Sequence, residues 1–517
     1  MIKKFDIITD TNEKKLKLVL KCLIVGIITG LVVVVYRFAL LYAEKVALFI
    51  YDYQTNNKWL IPIWLIALAI MGYTVGKLID KEPFISGSGI PQVKGVMGGY
   101  IQNRPMPIII NKFIGGTLSV LSGLSLGREG PSVQLGACTA DVISKKFNST
   151  RLERRLLLSS GASAGLSAAF NAPLSGIMFS LEEIYKYFSP LVILSTMVAA
   201  ISADFIAKQF FGLKPVFDFG ETVPIHLKNY WILIILGVLL GGLGAFYNWF
   251  TLKTQDLYEK IKLKTPIKMI IPFLLAGVMG LIFPVVLGGG HSVIEELTLN
   301  STLGLLCAIL IAKFLFSMAS FGSGAPGGIF FPLLIIGGSI GAVFGYISIN
   351  YLGVEAQFFN NFIILSMAGY FTAIVRAPIT GVILITEMTG SFSHLLSLTI
   401  VSITSYIVAD YLKSLPIYDS LLERLLKKNN INDYHSDSSQ KIIIPSVIHF
   451  GSKIENKRLK ELELPDNTLI VSLKRGENEI LPKGNTIIKA GDEILVMTNL
   501  SDEWRIREMI EDLTSKE

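Results

Sequence analysis

Long apolar stretches that are repeatedly cut by glycine and proline constrain this chain more than any other feature. The stretches run over residues 22–50, 59–79, 107–126, 156–185, 190–211, 229–250, 266–287, 303–320, 328–352, 358–388 and 394–412. Several reach the length of about 20 residues that an α-helix needs to cross a bilayer. Clusters of Gly and Pro interrupt them at 86–91, 127–131, 171–176, 322–332 and 377–381. Helix-breaking backbone at membrane depth survives only where protein buries it or where it lines a water-filled cavity. The pattern therefore predicts an all-α polytopic membrane protein whose broken helices surround a functional centre. With 51% hydrophobic and only 17% charged residues, an ordinary soluble domain is excluded.

Charge placement predicts the topology. Lysines 3, 4, 14, 15, 17 and 21 precede the first apolar run, Lys145, Lys146, Arg151, Arg154 and Arg155 share one loop, and Arg424, Lys427 and Lys428 follow the last run. The positive-inside rule puts all three groups, and both termini, on the cytoplasmic side of the cell membrane. The net charge of +7 then needs no nucleic-acid partner. The N-terminal stretch is too charged to read as a cleavable signal peptide. Cys22, Cys138 and Cys307 are odd in number, lie in apolar segments and have no metal-ligand spacing, so they read as packing residues.

The two halves repeat. NAPLSGIMFSLEE (171–183) aligns with RAPITGVILITEM (376–388), so that Pro173, Gly176 and Glu182 meet Pro378, Gly381 and Glu387. At nearly the same offset GREGP (127–131) meets GIFFP (328–332). Interrupted apolar segments at matching positions of two halves point to a binding site near the membrane midplane. Identity alone does not show whether the halves, about 22–211 and 229–412, are inverted; inversion is the expectation. Gly26/Gly30, Gly237/Gly241 and Gly337/Gly341/Gly345 have the spacing of close helix packing in lipid. The reading divides the chain into a cytoplasmic segment (1–20), a membrane domain (21–425), a polar linker (426–440) and a small cytoplasmic α/β domain (441–517). In that tail the pattern predicts strands at 441–450, 468–474 and 493–497, further strands around Ile480 and Ile487, a short helix at 457–462, turns at 475–478 and at Gly491-Asp492, and a closing helix.

GSGIP (87–91), GREGP (127–131) and GGIFFP (327–332) each read as a helix start. Such starts carry unpaired N–H groups and about half a positive charge, so three that converge would form an anion site without a cationic side chain. Moderate binding of this kind permits release, as conduction requires. Glu129 and Glu183 are carboxylates in apolar surroundings, which cost about 2.5–3.5 kcal/mol on insertion scales and are functional candidates by default. GLSLG (123–127) and GASAG (161–165) fit a serine-hydrolase elbow, but no histidine shows a partnered motif and the strand-to-helix context is missing. An intramembrane serine hydrolase on Ser125 or Ser163 is the remote alternative.

The three motifs, in this order and with NAPLSG, resemble the selectivity-filter motifs of the CLC chloride channels and proton-coupled chloride exchangers over residues 20–425. The resemblance implies a homodimer with one pathway per subunit, transporting chloride and protons without an organic or metal cofactor. It implies that Ser88, beside Gly87, and Tyr418 donate hydroxyls to a central anion, with the backbone N–H groups of Ile329 and Phe330. The N–H groups of Arg128, Glu129, Gly130 and Phe331 would line an outer anion position. Glu129 resembles the gating glutamate, and Glu183 the internal proton glutamate, unless Lys186 merely neutralises it at a helix end. Arg128 reads as a local cation. A proton-coupled antiporter is the expectation, with a passive chloride channel of the same fold as alternative. Residues 441–500 resemble the C-terminal module of the regulators of potassium conductance, which implies dimerisation and regulation by a small ligand.

Overall fold

The computed structural model describes residues 2–186, 188–220, 222–429, 441–476, 478–499 and 502–515. Two compact units emerge, Met1–Met97 with Asn103–Leu425, and Gly98–Gln102 with Leu426–Glu517. The larger is entirely helical, and among the described residues eight helices are long and apolar enough to cross a membrane. The first runs unbroken from Ile2 to Asn56, beyond both ends of its apolar stretch. Of the expected linker, residues 426–428 continue the helix Ile417–Lys428, while 430–440 lie outside the described residues.

Where the sequence carries Ala-Pro, a helix stops and another starts at once. Asn171 ends the helix Arg151–Phe170 in the left-handed region at φ 54°, and Arg376 ends Phe359–Val375 likewise at φ 69°. Pro173 and Pro378 then open the next helices, where their missing N–H costs nothing. The apolar stretches 156–185 and 358–388 are thus each a pair of shorter segments. The first pair closes with a π-helical turn, Ser180–Tyr185.

Reciprocal hydrogen bonds tie the halves together. Gly127 N–H donates to Gly328 O and Gly328 N–H to Gly127 O, both at 2.7 Å, in an antiparallel bridge. Glu182 accepts from the N–H groups of Ile379 and Thr380 at the start of the second-half helix, and Glu387 accepts from Leu174 and Ser175 at the start of the first-half helix. Each carboxylate caps the opposite half, satisfying N–H groups that a helix start leaves open. Lys112 donates to the carbonyls of Ile85 and Gly87, and Lys313, at the offset that relates Gly127 to Gly328, donates to those of Val286 and Gly288. Exchanged partners and reversed chain direction at the glycine bridge are the relation that a two-fold repeat requires. Small residues allow the close packing: a Cβ on Gly30 would lie 3.0 Å from Ala203 Cα.

The smaller unit is built on a four-stranded antiparallel sheet. β1 (Lys441–Val447), β2 (Leu469–Arg475), β3 (Asn478–Ile480) and β4 (Glu493–Asn499) lie in the order β1-β4-β2-β3. Ile494, Val496 and Thr498 alternate inward along central β4, while Pro445 sits on edge strand β1, where a missing ladder donor is tolerated. Ile487 forms only an isolated bridge with Arg458, not the expected strand, and the short helix shrinks to a 3₁₀ turn at Leu459–Glu461. Helix Glu503–Thr514 closes the unit, and Ile506 and Ile510 complete the core. Of the expected turn at 475–478, Glu477 lies outside the described residues. Arg475 grips Asp492 through Nε and Nη2, both at 2.7 Å. Burial opposes charge on Asp492, but the Arg475 hydrogen bonds and the Lys489 N–H outweigh it and hold the carboxyl below its usual range.

Candidate functional site

Three backbone loops are stitched side by side. Besides the Gly127–Gly328 bridge, Gly87 N–H donates to Gly324 O at 3.1 Å and Gly327 N–H to Gly87 O at 3.0 Å. GSGIP, GREGP and GGIFFP are therefore neighbours, and the helices Ile90–Met97, Glu129–Lys146 and Phe330–Leu352 start inside them as the sequence predicts. Each carries a proline in its first turn, Pro91, Pro131 or Pro332, where helical N–H groups have no intrahelical acceptor in any case. Gly130 leaves room for Ser88: a Cβ there would lie 2.7 Å from the Ser88 carbonyl oxygen, so a side chain would push the two loops apart.

Several of the buried polar side-chain atoms that lack hydrogen-bond partners belong to the residues singled out by the sequence. Ser88 Oγ, Tyr418 Oη, Arg128 Nε and both carboxylate oxygens of Glu129 are buried and unpartnered. Such atoms are exceptions that require an explanation in a folded protein. Glu129 is 1% exposed, and its nearest cation, Arg128, stands with Nε 3.9 Å from Oε1, beyond hydrogen-bond reach. Both line a cleft with Glu44, Gly127, His291 and Phe331. The Phe179 ring contacts both Tyr418 and Phe330, with centroids 6.3 and 5.8 Å away. That aromatic contact joins the helix Ile417–Lys428 to the GGIFFP helix start. Phe330 is fully buried, with Ile329 and Phe331 beside it.

Glu183 is also buried, at 2% exposure, but it is paired differently from either reading of the sequence. Its Oε1 accepts from Lys94 Nζ at 2.7 Å. Lys186, the expected neutralising partner, donates to Asp419 at 2.8 Å. Lys94 contacts Asp419 as well. Adjacent residues of a helical turn face different sides, and here Glu182 reaches the second-half helix while Glu183 reaches Lys94. Lys94 and Asp419 were not singled out by the sequence, because residues 94, 183 and 419 meet only through the fold. Lys112 and Lys313 did carry a signal, as lysines in apolar runs at the repeat offset.

The hydrolase constellation is not assembled. Ser125 Oγ shares a 2.7 Å hydrogen bond with Ser317 Oγ, and Ser163 Oγ has no partner. Among the described residues no cluster of His, Cys, Asp and Glu could hold a metal ion. Cys22 and Cys138 are buried and Cys307 is partly buried, all as free thiols.

Converging helix starts at the junction of two exchanged repeats, with an ionisable side chain among them, define a polytopic membrane protein built to handle an anion. The sequence profile of the voltage gated chloride channel family matches residues 67–410, and that of the TrkA-C domain matches residues 446–510. The chain is 33% identical over 437 residues to the H(+)/Cl(-) exchange transporter ClcA of Yersinia pestis bv. Antiqua (strain Angola), covering 81% of this chain and 90% of the relative. It is 34% identical over 439 residues to the transporter of that name from Vibrio campbellii, covering 81% and 91%. A crystal structure of a slow cyanobacterial Cl-/H+ antiporter superposes with a TM-score of 0.76 at 28% identity, over 80% of this chain and 99% of that one. A CLC-type fluoride/proton antiporter, 22% identical, shares the fold with a TM-score of 0.65 over 78% and 96%. The chain belongs to the voltage gated chloride channel family.

Proposed function

We propose that the protein is a proton-coupled chloride antiporter. The observation that carries this reading is the Glu129 carboxylate, buried without a hydrogen-bond partner beside the stitched helix starts. A carboxylate is an anion and competes with chloride for the same N–H groups. Ionised, it occupies the anion's place; protonated, it loses its attraction to the positive helix ends and yields the place to chloride. The exchange of a bound anion thus consumes a proton at the same atom. Ser88 Oγ and Tyr418 Oη are the unpartnered donors for a chloride on the inner side of Glu129, with the N–H groups of Ile329 and Phe330. The N–H groups of Arg128, Glu129, Gly130 and Phe331 serve the outer position. Glu183 is the second proton carrier, reached from the cytoplasmic side. The relatives named as H(+)/Cl(-) exchange transporters support the pairing of substrates.

The reading extends to a homodimer in the cell membrane with both termini cytoplasmic, driven by ion gradients with no cofactor, and regulated through a ligand at the tail domain. Liposomes loaded with chloride and carrying the purified protein test the coupling. An outward chloride gradient drives protons inward against their own gradient in the wild type, and Glu129→Gln abolishes proton uptake while chloride efflux remains measurable. Chloride efflux without proton movement in the wild type means a passive channel instead.

A further inference from the structure

We propose that Lys94 is a positioning residue that links the charge state of Glu183 to the helix carrying Tyr418. The inference rests on the antiport reading and deepens it. Lys94 belongs to the short helix Ile90–Met97 that starts in the Ser88 loop, and its side chain is 1% exposed. Its ammonium has three donors and no acceptor. One reaches Glu183 on the π-turn at 2.7 Å, and another reaches Asp419, the residue after Tyr418 on the helix Ile417–Lys428. A single cation therefore joins the three elements that carry the two inner chloride donors and the inner proton carboxylate.

Four charges make up the cluster: Lys94 and Lys186 are positive, Glu183 and Asp419 negative. With all four ionised it is balanced. A proton on Glu183 removes one of the two anions that Lys94 serves, and the ammonium's remaining ionic partner is Asp419. The hold on the Tyr418 helix tightens as the hold on the π-turn loosens, so the inner chloride donors sense whether Glu183 is loaded. Other groups facing Glu183 do not supply this link. Lys186 donates to Asp419 but lies outside the helix that starts in the Ser88 loop, Tyr418 presents a hydroxyl, and the Arg155 guanidinium stands 5.8 Å from the Tyr185 ring centroid. The helix Pro173–Phe179 has no charged side chain, and on Pro190–Phe211 Asp204 and Lys208 pair with each other.

Full-length Lys94→Met and Lys94→Arg, reconstituted beside the wild type, test the proposal through the proton-to-chloride ratio read from reversal potentials. The ratio falls by about threefold or more in Lys94→Met, because Glu183 then loses the cation bonded to it and the two carboxylates of the cluster share Lys186 alone. For the same reason the pH at half-maximal proton flux moves upward. Lys94→Arg restores both, since a guanidinium can bridge two carboxylates. A wild-type ratio in Lys94→Met overturns the proposal and leaves the antiport reading standing. So does a folded, monodisperse Lys94→Arg that fails to recover coupling. A wild type that moves no protons overturns both together.

Discussion

Lys112 and Lys313 do the same work in the two halves, each tying two loop carbonyls, and Glu182 and Glu387 each cap a helix of the opposite half. Glu129 and Glu183 have no such counterparts. Their repeat partners are Phe330 and Met388, both fully buried and neither able to carry a proton. The duplicated lysines and glutamates build the pseudo-symmetric frame, whereas Glu129 and Glu183, present once, are the two carboxylates that the proposed antiport uses. On the proposed antiport reading one pathway crosses the junction of the halves, so one gate serves it and a second would compete for the same N–H groups.

The contrast can be broken at the duplicated lysines. Lys112→Met and Lys313→Met each strand two buried carbonyls that had charged hydrogen bonds, a loss of about 3 kcal/mol. Thermal denaturation in detergent is expected to show a similar drop for both variants; a drop confined to one half would separate their roles. Glu387→Gln weakens the cap on the helix Pro173–Phe179 and costs about 1–2 kcal/mol, while the proton-to-chloride ratio of the surviving protein stays at the wild-type value. A changed ratio would place this carboxylate in the transport path.

The smallest effect belongs to the tail, where the Arg475–Asp492 pair has no repeat partner and serves as a control outside the membrane. Because the Asp492 carboxyl is held below its usual range, its contribution is complete above the unfolded value of about 3.9 and is lost as pH falls through the lower folded value. The protection factors of β2 and β4 in the full chain, corrected for the intrinsic exchange rate, should therefore fall only in acid, and Asp492→Asn should remove that acid dependence while slightly lowering protection at neutral pH. Identical acid profiles for the two proteins would show that the pair is not what holds these strands.

Breaks in the membrane helices were legible in the sequence because their chemistry is local. Ala-Pro after Asn171 and Arg376 forces a stop and a restart, and the three glycine-rich starts appear where the motifs place them. The repeat was legible because it survives as matching residues. What could not be read is what depends on long-range contact. Glu183 lies three residues from Lys186, yet the packing of Ile90–Met97 gives it Lys94. In the tail, Ile487 has the composition of a strand residue, but only one bridge partner is within reach and the ladder does not extend.

Glu182 and Glu183 are adjacent on one turn but differ in their partners, a helix start for the first and Lys94 for the second. The proton-to-chloride ratio of Glu182→Gln and Glu183→Gln in liposomes is the most direct measurement. Glu182→Gln, though less stable, is expected to keep the wild-type ratio, while Glu183→Gln moves chloride with no coupled proton. Full coupling in Glu183→Gln, or coupling lost in a folded Glu182→Gln, would contradict that expectation.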